Sequence, residues 1–259
     1  MKRDLIFVFL GGTMSGVFSA GVAKSLKDHK LYNRIHSFYT TSAGAHSAAF
    51  FLSDNIKEGS TIYCEEMISD KFILHKKCKF LWTMFLRTFN KNVKIEKLMN
   101  IDYLIDVEKN KKKLNLSKIS KAKINLFIRV FNIKTKKAEW LKGKTNILKK
   151  LKATSALLPF YPKTIKINKK EYSDGDTLLK TIDPFLEDII NNNPDKKVFL
   201  VFNETKRNRI NLNAIIINFI WTIFLLIYFQ DAFVLKKENY FCREQNVKKI
   251  YKNSERASY

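Results

Sequence analysis

Ser42 stands in Thr40-Thr41-Ser42-Ala43-Gly44, where a β-prone run over residues 36–41 gives way to small residues that open a helix. A serine thrust out on a sharp strand-to-helix turn is the nucleophile-elbow pattern, G-x-S-x-G, whose cramped geometry demands small neighbours. Ala43, Gly44 and Ala45 meet that demand, while Thr40 occupies the first glycine position. Unpaired N–H groups and the helix dipole favour the alkoxide of an attacking serine at such a helix start. The same letters also describe a serine that caps a helix, and on this stretch alone both readings stand.

Two further stretches carry chemistry. Gly11-Gly12-Thr13-Met14-Ser15-Gly16 follows the apolar run 5–10 and precedes a helical segment over 17–26. Strand, glycine turn and helix together make an anion site, because backbone N–H groups point at whatever negative charge sits over the helix end. A dinucleotide fingerprint would need glycine at Thr13, and a phosphate-binding P-loop would need Gly-Lys-Ser/Thr where Gly16-Val17 stand. An oxyanion hole needs only a tight turn that presents N–H groups to a carbonyl oxygen. A purely structural turn remains the alternative. The third stretch is Tyr172-Ser173-Asp174-Gly175-Asp176, in which Asp-Gly is a turn signal of modest specificity.

The elements that must position these residues are readable from hydrophobic patterning. Residues 5–10 are continuously apolar, as in a strand buried on both faces, although Met1-Lys2-Arg3 ahead of them also resembles the start of a signal peptide. Strand 5–10, helix 17–26 and strand 36–41 form a β-α-β unit with parallel strands, so its two loops open at the same sheet edge. The glycine turn and Ser42 are then neighbours in space. Helices are expected over 44–53, 60–70, 147–156 and 183–192, a short helix or turn over 101–107, and a strand pair over 124–131 and 137–141. Residues 109–113 read as a solvated loop, 164–167 and 171–172 as short strands, and 198–202 as a further buried strand. The basic, aromatic stretch 71–92 reads as a lid, a membrane-facing segment or a core helix with lysines outside.

At 259 residues with 46% hydrophobic residues, the chain suits one α/β domain with a sizeable core. Residues 1–205 are assigned to that domain. The formal net charge of +24 favours anionic partners such as acidic lipid head groups. The lysines are scattered without an aromatic-basic nucleic-acid motif, so a nucleic-acid-binding role is not expected. Cys64, Cys78 and Cys242 fit neither a disulfide framework nor a zinc site and are compatible with a reducing compartment. Residues 206–259 combine the apolar segment 212–229, about long enough to span a bilayer, with a basic tail. That segment reads as a core or amphipathic helix, or as a membrane anchor.

Taken together, the three stretches resemble the patatin-like phospholipase family. Its signatures run in the same order: a glycine-rich turn, a G-x-S-x-G elbow and D-G-G/A. Ala153-Thr154-Ser155-Ala156-Leu157-Leu158-Pro159 is also similar to the family's A-S-x-x-x-P phrase ahead of the aspartate. The resemblance spans roughly residues 5–202 and implies a three-layer α/β/α fold around a mainly parallel sheet. It implies a lipid acyl hydrolase with a Ser42–Asp174 dyad and an oxyanion hole formed by Gly11, Gly12 and Thr13. Thr40, Gly44, Gly16 and Gly175 would support the motifs. No metal or cofactor is implied. The expected substrate is a phospholipid or lysophospholipid at an anionic membrane surface, with the protein cytoplasmic and peripherally attached. Departures from the family stand at Thr13, Ser15, Thr40 and Asp176, where it often has Gly, Arg, Gly and Gly or Ala. They leave room for a catalytically impaired interaction protein, and an acyltransferase would use the same dyad. His46, one helical turn after Ser42, is an alternative base that its position along the helix disfavours.

Overall fold

The computed structural model describes residues 2–175 and 183–203. These belong to the first of the chain's two units, Met1–Arg207. The segment 206–259, with its apolar run 212–229, lies outside the described residues, as does Asp176.

Strand β1 (Leu5–Phe9) is buried along its whole length, as its unbroken apolar run requires. Its alternate side chains serve two layers. Phe7 and Phe9 pack with Phe38 of β2 (Ile35–Thr41), and Phe38 meets Phe51 of helix α2 (Ala43–Leu52). Ile6, Val8 and Leu10 cluster on the other face with Phe185 and Ile189. Those two belong to the last described helix, Asp183–Asn191. Helices therefore cover both faces of the sheet. Helix α1 (Val17–Asp28) joins β1 to β2, and the two strands pair in parallel.

The next elements are α3 (Ile56–Ser60), α4 (Ile62–Glu65), α5 (Lys77–Phe89), α6 (Ile101–Asp106) and α7 (Leu116–Lys121). They are followed by β3 (Asn125–Asn132), β4 (Lys137–Lys142), α8 (Ile147–Thr154), β5 (Ile165–Ile167) and β6 (Lys170–Asp174). Helix α9 (Asp183–Asn191) and strand β7 (Lys197–Val201) complete the order. The seven-stranded sheet runs β5-β6-β3-β2-β1-β7, with β4 also paired to β3. Strands β3, β2, β1 and β7 are parallel neighbours, and β4, β5 and β6 join in antiparallel fashion.

Three sequence expectations need correction. Residues 60–70 are not one helix. Gly59 lies so close to Phe50 that a Cβ there would meet the ring at 2.1 Å, and α3 and α4 are separate short turns. Residues 109–113 are not a plain loop, because α6 continues as a wide helical turn over Val107–Lys111 and buries Glu108. Helix α5 is not a core helix with a lysine-covered outside: Phe80 is its buried residue, and three of its aromatic side chains lie in solvent.

Candidate active site

The elbow is held in an uncommon backbone conformation. Ser42 has φ 46° and ψ −124°, outside the regions that L-residues favour, at a cost of about 1–3 kcal/mol that the surroundings must offset. Two features hold it. The Ser42 N–H donates to Thr154 Oγ1 at 2.8 Å, and Thr154 Oγ1 donates in turn to the Arg129 carbonyl at 2.7 Å. Helix α2 packs directly on β1, so a Cβ at Gly44 would meet the Phe9 carbonyl oxygen at 2.5 Å. Every residue of α2 is buried, which explains its run of alanines. Thr40, at the family's first glycine position, is an ordinary strand residue of β2 whose hydroxyl donates to the Phe127 carbonyl at 3.0 Å.

Asp174 reaches the same place by strand register. Strand β3 has two edges, and β4 occupies one of them along Phe127–Asn132. The other edge is shared. Strand β2 pairs there with Asn125 to Arg129, its last partner pair being Thr41 with Arg129. Strand β6 then takes over, running the opposite way, with Asp174 opposite Val130. The carboxyl ends of β2 and β6 thus meet on consecutive positions of β3. Ser42 must turn away from the sheet at the point where Asp174 arrives. Gly175 lies against the same junction, since a Cβ on it would meet the Arg129 carbonyl oxygen at 2.7 Å. Asp174 is buried, and its N–H donates to the Ala156 carbonyl at 3.1 Å.

The glycine turn is docked against the elbow from the other side. Gly12 has φ 145°, and a Cβ there would meet Asn203 at 2.7 Å, so glycine is required on both counts. Thr13 follows at φ 46°, a left-handed conformation unusual for a threonine. Residues Thr13–Gly16 form a single tight helical turn, and Gly16 fits against Tyr63 and Ala43. Gly11 lies between the end of β1 and this turn. Asn203, which sequence reasoning missed, locks the turn to the sheet. Its Nδ2 donates to the Leu10 carbonyl at 2.5 Å, and its Oδ1 accepts the Ser19 N–H at 2.9 Å. Ser19 and Ser47 share a hydrogen bond at 3.0 Å, and Tyr63 donates to the Ala43 carbonyl at 2.9 Å. Complete burial pushes the Tyr63 phenol well above its ordinary pKa, so it remains a donor. A lone asparagine after a strand gives little sequence signal for such a role.

Thr13 and Met14 from the turn and Ser42 and His46 from the elbow helix line one small cleft that is partly open to solvent. Its remaining walls are mostly apolar, including Met67, Phe72, Met99 and Leu104. Such a lining suits an acyl chain. Asp174 does not line the cleft, whereas Ser42 does.

His46 is not positioned as a base for Ser42. Its Nδ1 contacts Glu108 Oε1 at 2.5 Å, and its Nε2 contacts Ser155 Oγ at 2.6 Å. All three residues are buried, and Glu108 Oε2 has no hydrogen-bond partner among the described residues. The two hydroxyls of Thr154-Ser155 are therefore divided between the elbow backbone and this histidine. Among the described residues, no helix is long and apolar enough to cross a membrane.

The Patatin family model, described as patatin-like phospholipase, matches residues 7–212. Among solved structures, VipD from Legionella pneumophila is similar at 14% identity with a TM-score of 0.43. The match covers 70% of this chain and 48% of VipD, so the chain spans about half the length of that protein. No curated protein matches the chain.

Proposed function

The chain belongs to the patatin-like phospholipase family, and from that premise we propose that it hydrolyses fatty-acyl esters of phospholipids or lysophospholipids through an acyl-enzyme on Ser42. The observation that supports this reading is the end-to-end meeting of β2 and β6 on one edge of β3, with Thr41, the residue before Ser42, and Asp174 opposite the consecutive residues Arg129 and Val130.

In the proposed reaction Asp174 accepts the Ser42 hydroxyl proton as Oγ attacks the ester carbonyl. The N–H groups of Gly12 and Thr13, with Gly11 shaping the turn, stabilise the developing oxyanion, a contribution of about 2.7–4 kcal/mol per donor. Collapse of the tetrahedral intermediate expels the alcohol, which takes up the proton. Water, deprotonated by Asp174, then attacks the acyl-serine, and the fatty acid leaves as Oγ regains its proton. The acyl chain occupies the apolar part of the cleft, and the cationic surface draws the protein to anionic bilayers. The departures at Thr40 and Thr13 leave this scheme intact: Thr40 lies in regular strand, and Thr13 contributes a backbone N–H whatever its side chain.

Fatty-acid release from mixed phospholipid and lysophospholipid vesicles tests the reading with wild type, Ser42→Ala and Asp174→Asn. Loss of an activated nucleophile is expected to lower turnover by ~10⁴-fold or more. Equal release by all three proteins would refute it.

A further inference from the structure

Helix α5 presents an aromatic ridge to solvent. Trp82, Phe85 and Phe89, spaced on one helical face, are 60%, 45% and 78% exposed. They cover one another rather than the core: Trp82 stacks on Phe85 at 5.9 Å between ring centroids, and Phe85 meets Phe89 edge-on at 5.1 Å. The opposite side of α5 is anchored, because Phe80 is fully buried and stacks on Phe160 at 5.7 Å. The ridge is thus held outward by a fixed helix.

The surroundings are strongly basic. Residues 71–97 contain eight Lys or Arg residues against a single acidic one, Glu96. Glu96 is taken up by Lys76 and Lys79, each at 3.2 Å. Arg87, Lys91 and Lys94 lie exposed on or just beyond the aromatic end of the helix. The whole excursion springs from the cleft wall. Ile73 and Met99 form a β-bridge at its base, and Phe72 and Met99 both line the cleft beside Ser42.

We propose that the Trp82–Phe85–Phe89 face of α5 is the surface by which this protein docks on an anionic lipid bilayer. Exposed Trp and Phe rings partition into the boundary between head groups and acyl chains, and flanking lysines and arginine neutralise acidic head groups. Neither term suffices alone: aromatic rings without charge bind weakly, and charge without rings is released by salt. Charge complementarity selects this occupant, since a second copy of a chain with formal net charge +24 would bring like charge to the patch. The inference rests on the proposed lipid substrate for its purpose. Adsorption itself is measured without any turnover.

The test is cosedimentation of the full chain with vesicles of phosphatidylcholine plus phosphatidylglycerol, and with phosphatidylcholine alone, at low and high ionic strength. Wild type is compared with the triple variant Trp82→Ala/Phe85→Ala/Phe89→Ala, whose replaced side chains lie mostly outside the core. Wild type is expected to bind the anionic vesicles, more weakly in high salt, and the triple variant to bind them about 10²-fold more weakly. A charge variant, Lys91→Glu/Lys94→Glu, is expected to lose binding to anionic vesicles while its unfolding curve stays unchanged. Undiminished binding by the triple variant would overturn the proposal and assign adsorption to another segment. So would a wild-type dimer in analytical ultracentrifugation that the triple variant converts to monomer, because the ridge would then be covered by a second copy. Hydrolysis of a short-chain soluble ester is read in parallel. If it depends on Ser42 and is unchanged in the triple variant, failure to bind vesicles is separated from failure of the catalytic reading.

Discussion

Replacing Thr154 with valine removes one hydroxyl and leaves the shape of the side chain almost unchanged. In the folded protein that hydroxyl accepts the Ser42 N–H and donates to the Arg129 carbonyl, at 2.8 and 2.7 Å, and Thr154 has no exposed surface. Valine satisfies neither group. A buried polar group deprived of its partner costs about 1–3 kcal/mol, so the two together should lower stability by about 2–6 kcal/mol. For a folded unit of this size that corresponds to a fall in Tm of about 4–24 °C. Thr154→Ser keeps the hydroxyl and loses only a methyl group, so it should retain most of the stability. The same bond fixes the N–H of a residue held at φ 46°, and without it the elbow can relax toward ordinary dihedrals. Ester hydrolysis by Thr154→Val should therefore fall in kcat more than it changes KM. Thermal unfolding followed by circular dichroism, with a soluble ester assay, checks both parts. If Thr154→Val melts within about 1 °C of wild type and turns over normally, the elbow is not held in this way.

Ser155→Ala leaves the buried Nε2 of His46 without its hydroxyl partner and should cost about 1–3 kcal/mol in urea unfolding. Turnover by that variant should persist, because His46 serves Glu108 and Ser155 rather than Ser42. Asn203→Ala frees the glycine turn from β7 and should lower kcat by roughly 10–100-fold, consistent with partial loss of oxyanion donors, as steady-state kinetics would read. Asp54 is held down to about 2 from 3.8 by hydrogen bonds first from Lys118 and then from Lys27. A depressed carboxylate stabilises the fold above its unfolded pKa and loses that contribution as pH falls through the folded value. Unfolding midpoints should therefore drop between about pH 4 and pH 2, and Asp54→Asn should flatten that part of the profile.

The first 53 residues were legible because their elements are local. An unbroken apolar run, a glycine turn and small residues after Ser42 each carry their own signal, and a parallel β-α-β unit follows from connection length. Asp174 was legible as a motif but not as a position. Strand β6, Lys-Glu-Tyr-Ser-Asp, is short and polar, and its place depends on pairing with β3 about 40 residues earlier. Glu108 stood unremarked just ahead of the solvated run 109–113, since its burial depends on His46, 62 residues away. Asn203 had no pattern to announce it. The exposed face of α5 was also undecided in the sequence, because an aromatic stripe at helical spacing fits a core as well as a membrane. Burial of Phe80 alone decides which side turns inward.

The central claim, that Ser42 is an activated nucleophile, is tested most directly by reaction with a fluorophosphonate and mass mapping of the adduct. The account predicts a single adduct on the peptide containing Ser42, absent in Ser42→Ala and formed much more slowly in Asp174→Asn. An adduct on Ser155, or equal labelling of wild type and Ser42→Ala, would contradict it.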